Sequence, residues 1–333
     1  MAQFDPNVLA SASVTLGVAA LALVCRLVAR RMTKMSLWFD DYLAIFAFLF
    51  AASWSAMMIT WTIHAGLGRR LEDVEGLTPK QALQLSHLLL WNAELFYASS
   101  LAFSKLSILG FYWRLFSRSN IRVPIQILAV LSLIWLIIRT FLAIFHCVPV
   151  QAFWDKSIKD AVCTIDDSKF FFGTVLVHLL LDISILALPV LQVMNLHLKA
   201  GQKIAVIALF MFGILVCVAS IVVLAESLKF DPSSDEMPLD IAPIMIWATV
   251  EANLAIVSEE VDESSSIHQL ADSMQPGSHE SDGELINGRH GLQTVISSNP
   301  YDLPSSADSE GDKGIHVRKE TSVRIELSTR KHP

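Results

Sequence analysis

The sequence predicts an all-α fold, a seven-transmembrane helix bundle followed by a polar C-terminal tail. Three observations carry that reading. Seven apolar stretches, each close to the length of a bilayer crossing, fill residues 8–258. Of the 333 residues, 53% are hydrophobic and 17% are charged, where a soluble domain carries about 25% charged residues. The net charge of −7 is also unevenly placed. Residues 1–257 hold 18 basic and 18 acidic side chains, and residues 258–333 hold 7 and 14. The imbalance therefore belongs to the tail, and the membrane region is neutral overall.

A hydrocarbon core about 30 Å thick is crossed by a helix of about 20 residues, each rising about 1.5 Å. Val8–Ala29 is the first such stretch. Its basic flank, Arg26, Arg30, Arg31 and Lys34, lies at its C-terminal end. No positively charged n-region precedes it, so it reads as a span with the N-terminus outside, not as a cleaved leader. Leu43–Ile63 follows, opened by an interfacial Trp38 and two capping carboxylates, Asp40 and Asp41. Leu88–Trp113 is the third stretch and Ile125–His146 the fourth, with Pro124 in its first turn. Phe170–Val193 is the fifth, and Pro189 should kink its inner end. Ile204–Ala225 is the sixth.

The seventh stretch, Ile241–Val257, is the short one: 17 residues rise only about 26 Å. It contains Glu251, which is costly against lipid, and Ser258, Glu259 and Glu260 follow at once. A six-helix chain with a frayed seventh segment therefore stays open. On this reading residues 1–257 form the membrane domain. Residues 258–333, rich in Ser, Asp, Glu, Gly and Pro, form a disordered acidic tail inside the cell. Basic residues outside the helices number eight on the predicted inner side and seven on the outer, so the first helix sets the orientation.

Cys25 and Cys217 fall inside apolar stretches, whereas Cys147 and Cys163 bracket the loop between the fourth and fifth. With the N-terminus outside, that loop faces the oxidising side. The two cysteines are a candidate disulfide or, on the plainer reading, two unrelated thiols.

No phosphate-binding glycine loop, zinc spacing or nucleophile elbow occurs. The sequence thus points to no enzyme, no cofactor and no resident metal, and the lack of a basic stripe argues against nucleic acid. Chemistry is instead expected from ionisable residues inside the apolar stretches, which face the bundle interior by default. Depth counted from the helix ends groups Glu94, Arg139 and Glu226 in the outer half. It groups Lys105, Asp182 and Glu251 near the middle or inner half. Lys105 is expected to neutralise Asp182, Glu251 or both, as a static pair or as a switching or ion-linked group; the alternative is that it snorkels to the inner interface. His64, His87 and His178 sit on three helices at different depths and read as ordinary interior or interfacial histidines. A retinal pigment needs a lysine in its pocket, and Ile241–Val257 has none.

Short signatures recur in a fixed order. They are Trp38-Phe39-Asp40-Asp41-Tyr42, then Gly66-Leu67-Gly68-Arg69, then Lys105-Leu106-Ser107-Ile108-Leu109 with Phe111-Tyr112. Cys147-Val148-Pro149 with Trp154 and Cys163 comes next, then Asp182-Ile183 with Leu188-Pro189, and finally Trp247 and Glu251. In this order they resemble the fungal rhodopsin-domain family of integral membrane proteins. The resemblance implies a receptor-like membrane protein without retinal, in a family that includes surface-sensing members similar to G-protein-coupled receptors. In that family the segment after the helix-seven Glu continues as an apolar run. The change here at Glu259-Glu260 implies a shortened seventh helix, as a splice or gene-model variant would give.

The function expected is therefore a receptor-like sensor, with an ion-coupled transporter or a membrane scaffold as alternatives. Its expected partners are the lipid bilayer, an extracellular small molecule or surface ligand, and a cytosolic signalling protein. That last partner would meet Arg114, Arg118, Arg122, Lys199 and Lys203. The expected location is the plasma membrane.

Overall fold

Lipid-facing side chains and buried polar ones segregate along the same helices in the computed structural model, as they must in a chain whose solvent is hydrocarbon. The structure describes residues 6–33, 37–74, 76–115, 121–155, 157–158, 162–163, 165–195, 200–230, 234 and 236–274. Among them the long helices are α1 (Pro6–Met32), α2 (Phe39–His64), α3 (Pro79–Leu115), α4 (Arg122–Ile144), α5 (Asp167–Asn195) and α6 (Ala200–Ser227). A one-turn helix, α7 (Met237–Asp240), leads into the last long helix, α8 (Ala242–Met274). Six helices, α1 to α6, are long and apolar enough to cross a membrane. The protein is thus an all-helical, multi-pass membrane protein.

Helix α4 illustrates the segregation. Its buried stripe is Ile125, Ser132, Trp135, Arg139 and Ala143, at near-helical spacing, while Ile127, Val130, Ile134, Ile137, Ile138 and Phe141 are exposed. The outward face is wholly apolar and the inward one holds the polar Ser132 and Arg139, the arrangement lipid selects. Helix α3 has the lowest mean hydropathy of the six and is the most buried. It packs against α2, α4 and α8, so its polar groups meet protein and not lipid.

The same logic explains α8. It packs on α1, α6, α3 and α2, and Thr249, Glu251, Asn253, Ser258, Glu259 and Glu260 are all buried. Trp54 Nε1 donates to Thr249 Oγ1 at 3.0 Å, and Asn253 Nδ2 donates to Thr15 Oγ1 at 2.9 Å. Bonds of this kind tie membrane helices together. The helix expected to stop at Val257 runs on to Met274. Up to Glu260 its polar residues are buried in the bundle, where a hydropathy scan registers only their polarity and cuts the helix short. Of the tail, residues 275–333 lie outside the described residues.

At one end of the bundle Cys147 and Cys163 form a disulfide, held across a two-stranded antiparallel pair, β1 (Cys147–Val148) and β2 (Val162–Cys163). After α2, Gly66 and Gly68 take positive φ angles of 74° and 81°, which L side chains rarely adopt. A Cβ on Gly66 would also lie 2.4 Å from Val74 Cγ2. The turn is fastened by Gly68 N–H, which donates to Pro238 O at 2.9 Å, and by Arg69 Nη2, which donates to Thr62 O at 2.7 Å. Pro189 lies inside α5, which continues to Asn195.

Candidate functional site

Two buried charge clusters lie at different levels of the bundle. The first is centred on His178. In α5, His178 and Asp182 are four residues apart and share one face, with His178 Nδ1 3.1 Å from Asp182 Oδ2. Lys105 of α3 reaches both: its Nζ is 2.5 Å from Asp182 Oδ1 and 2.9 Å from His178 Nδ1. The other ring nitrogen, Nε2, is 2.7 Å from Glu251 Oε1 of α8. Glu251 also accepts hydrogen bonds from the Tyr97 hydroxyl of α3 and the Ser220 hydroxyl of α6. One imidazole thus connects α3, α5, α6 and α8. Lys105 does not reach the bundle surface: it is buried within this network.

Charge counting shows what the network can do. Lys105 offers one positive charge against the two negative charges of Asp182 and Glu251. With its proton on Nε2 the imidazole donates to Glu251 and its bare Nδ1 accepts from Lys105, which leaves one negative charge in excess; a second proton, on Nδ1, would balance the charge and turn that nitrogen from the ammonium toward Asp182 Oδ2. The cluster is therefore a place where one proton changes the net buried charge. His178, Asp182 and Glu251 also offer ligand atoms within 4.8 Å of one another, a spacing that suits a metal ion. The Lys105 ammonium already lies against two of these groups, so the chain supplies its own cation there.

Of the outer trio expected from depth, Glu226 is taken up by a surface pair. Arg139 lies in a ring of aromatics, 5.1 Å from the Tyr97 ring centroid, 5.6 Å from Trp135 and 6.0 Å from Phe170. Glu226 pairs with Lys229 at 2.7 Å on the surface. Glu94 is buried. Depth along a helix gives height but not direction around the axis, and direction decides these contacts. Arg139 nonetheless touches the first cluster through Tyr97.

The second cluster lies at the end of the bundle opposite the disulfide. Arg26 and Arg30, one turn apart on α1, meet Asp40 and Asp41 at the start of α2. Arg26 Nε is 3.0 Å from Asp41 Oδ1, and Arg30 Nη2 is 3.1 Å from Asp41 Oδ2. Both guanidinium groups lie 3.4 Å from Asp40 Oδ2. Arg114 of α3 reaches Asp40 at 3.3 Å, and Glu260 of α8 reaches Arg26 at 3.3 Å. Arg26, Arg30, Asp40, Asp41 and Glu260 are all 2% exposed or less. Asp41 does cap its helix, accepting the Trp38 N–H at 2.8 Å, but its larger part is to close this box. Gly110 lies against Asp40, and a Cβ there would sit 3.4 Å from Asp40 Cβ.

Sequence reasoning missed this box and the central place of His178. The signals were present: Arg26 with Arg30 and His178 with Asp182 are both i,i+4 pairs. Of the basic residues expected to meet a cytosolic partner, Arg114 is largely occupied in the box. Arg122 stacks over Trp113 at 4.9 Å. Arg118 and Lys199 lie outside the described residues, and Lys203 lies in the first turn of α6, where only the backbone is described.

Comparison with known proteins agrees with these signatures. The model of the fungal rhodopsin domain matches residues 25–265, a stretch that includes both clusters and runs past Val257. A Gibberella zeae protein named fugralins biosynthesis cluster protein 2 is 33% identical over 106 residues, 32% of this chain and 26% of that protein. Wortmanamides biosynthesis cluster protein C of Talaromyces wortmannii is 27% identical over 248 residues, 73% of this chain and 64% of that protein. A SAT4 family membrane protein of Emericella nidulans is 28% identical over 185 residues, 54% of this chain and 47% of that protein. The chain thus spans less than two thirds of the length of each of these relatives. No solved structure matches it. With the domain model covering most of its length, the chain belongs to the fungal rhodopsin domain family.

Proposed function

We propose that this protein is a receptor-like membrane sensor that works without retinal. It crosses the membrane seven times, with its N-terminus outside, its tail in the cytosol and α8 as the seventh span. The observation that carries this reading is the His178 network, which fastens four helices through groups that can exchange protons. A sensor needs two packings and a ligand that prefers one of them; a network of this kind is a lock that such a ligand can open. The first part of α8, Ala242–Glu260, rises about 28 Å, enough for a crossing. The plasma membrane is the location this reading assigns.

Two features support the absence of a pigment. Lys105, the lysine within the core, is held by Asp182 and His178. The cavity beside it is about 50 Å³, far below the several hundred Å³ of a ligand pocket. The test is a pair of measurements in cells. Reporter fusions should place the N-terminus outside and the C-terminus inside. Lys105→Met should then produce signalling output without stimulus; output equal to that of a deletion strain would argue against a lock.

A second reading, an ion-coupled carrier, is favoured by one observation: acid, base and ammonium groups meet at mid-depth. Three relatives bear the names of biosynthesis clusters, which suits either a metabolite sensor or a metabolite carrier. Proton-driven uptake by purified protein in liposomes, abolished by Glu251→Gln, would decide for the carrier.

A further inference from the structure

We infer that the Lys105–Asp182 pair binds water, and that this water is the route by which the buried network exchanges protons with the side of the membrane holding the arginine box. The cavity of about 50 Å³ beside the pair has room for roughly one to three water molecules. Four helices line it: Ser104, Lys105 and Tyr112 from α3, Asp182 from α5, Gly213 from α6 and Ser258 from α8. The wall is not dry. Ser104 is 2% exposed, yet among the described residues its hydroxyl has no hydrogen-bond partner. A buried hydroxyl left unbonded is costly, and water in a polar cavity is the ordinary remedy.

Position gives the cavity its direction. From Lys105 to Tyr112 is seven residues, about 10 Å along α3, and Ser258 lies two residues before the box residue Glu260. The cavity therefore runs from the network toward the box. On the other side the network is packed beneath Tyr97, Trp135 and Arg139, all buried. Asp182, 13% exposed at its side chain, is the member open to the cavity, whereas the side chains of His178 and Glu251 are fully buried.

The groups facing His178 set what a delivered proton meets. They are Lys105 from α3, Trp135 from α4, Asp182 on its own helix, Ser220 from α6 and Glu251 from α8; behind them Tyr97 bonds Glu251, and Arg139 lies over the Tyr97 and Trp135 rings. A proton arriving as hydronium adds to an Asp182 oxygen and leaves water behind. The Lys105 ammonium then loses its anionic partner and is solvated by the cavity water; release of the proton reverses the step. No electrons move. The inference rests on the seven-helix reading only for naming the box side cytosolic.

Two buried tyrosines make the test. Tyr97 and Tyr112 have the same chemistry, are 4% and 1% exposed, and lie on opposite sides of the network. The full chain in lipid nanodiscs would be given an X-ray pulse that turns bound water into hydroxyl radical, and oxidation would be read by mass spectrometry. Tyr112 should oxidise several-fold faster than Tyr97. That excess should vanish in Ser104→Leu and in Val216→Phe, which fill the cavity from different helices, provided the variant elutes as a single species with its disulfide intact. After a pH jump in heavy water, the carboxylate infrared band missing in Asp182→Asn should respond quickly in wild type and several-fold more slowly in the filled variants. Equal oxidation of the two tyrosines, or a band response unchanged by filling, would overturn the proposal. Terminal reporters test the orientation separately, so failure there leaves this result standing or fallen on its own.

Discussion

The two buried charge clusters use opposite chemistries for neighbouring tasks. The box pairs guanidinium groups with carboxylates. Arginine keeps its charge under all conditions a protein meets and presents a planar fork, so the box has one state and serves as a fastening between α1, α2, α3 and α8. The network replaces arginine with lysine, histidine and hydroxyls, which move protons and have several hydrogen-bonding arrangements. The box teaches how the bundle is held, and the network where it can change. A buried ion pair is weak evidence of stability by itself, because desolvation offsets the attraction. The comparison is therefore tested by what happens when one partner is removed.

The largest effect is expected in the box. Asp41 accepts from Arg26, from Arg30 and from the Trp38 N–H. Asp41→Ala leaves two buried guanidinium groups that cannot shed their charge, and such a loss costs about 3–5 kcal/mol. Thermal unfolding in detergent should show a large fall in midpoint. A loss below about 1 kcal/mol would mean that the box is solvated and is not a fastening.

The network should respond less and in a different way. After Lys105→Met, the Asp182 carboxylate can be neutralised by taking up a proton, so the expected cost is about 1–3 kcal/mol. Asp182→Asn should cost a similar amount. Exchanging the two, with Lys105→Asp and Asp182→Lys together, should recover more than half of the single-mutant loss. If the exchanged protein is no more stable than either single variant, the 2.5 Å contact contributes nothing as a direct pair.

The helices themselves were largely legible in the sequence, because α1, α2, α4, α5 and α6 each expose an apolar face to lipid and hydropathy measures that directly. Helix α8 was read short for the converse reason. Its neighbours cover it, so Glu251, Asn253 and Glu260 meet partners that a one-dimensional profile cannot see. Depth alone anticipates the Lys105–Asp182 contact, whereas Glu226 turns to Lys229 at the surface, because depth carries no azimuth. His178 was passed over because one histidine on an apolar face is usually unremarkable; only the fold brings Glu251 to its second nitrogen. Asp40 and Asp41 were read as caps, a local reading correct for Asp41 yet blind to the hairpin that returns α1 beside them.

The smallest effect addresses the border where the sequence seemed to leave the membrane. Glu260 lies three residues beyond Val257, yet it is 2% exposed and its Oε2 is 3.3 Å from Arg26 Nη1. Glu260→Gln keeps the shape and a carbonyl acceptor but removes one of the three negative charges that face Arg26, Arg30 and Arg114. Arg26 retains Asp40 and Asp41, so the expected cost is about 1–2 kcal/mol, the worth of one charge-assisted bond. If residues beyond Val257 were only a solvated tail, the substitution would leave the unfolding midpoint unchanged at low salt and at high salt alike. A measurable loss that persists at high salt places Glu260 inside the bundle, since screening weakens surface pairs far more than buried ones. Combining it with Asp41→Ala sharpens the point. Both residues act on Arg26, so the two losses should not add, and simple additivity would mean that α8 and the α1–α2 hairpin are fastened independently.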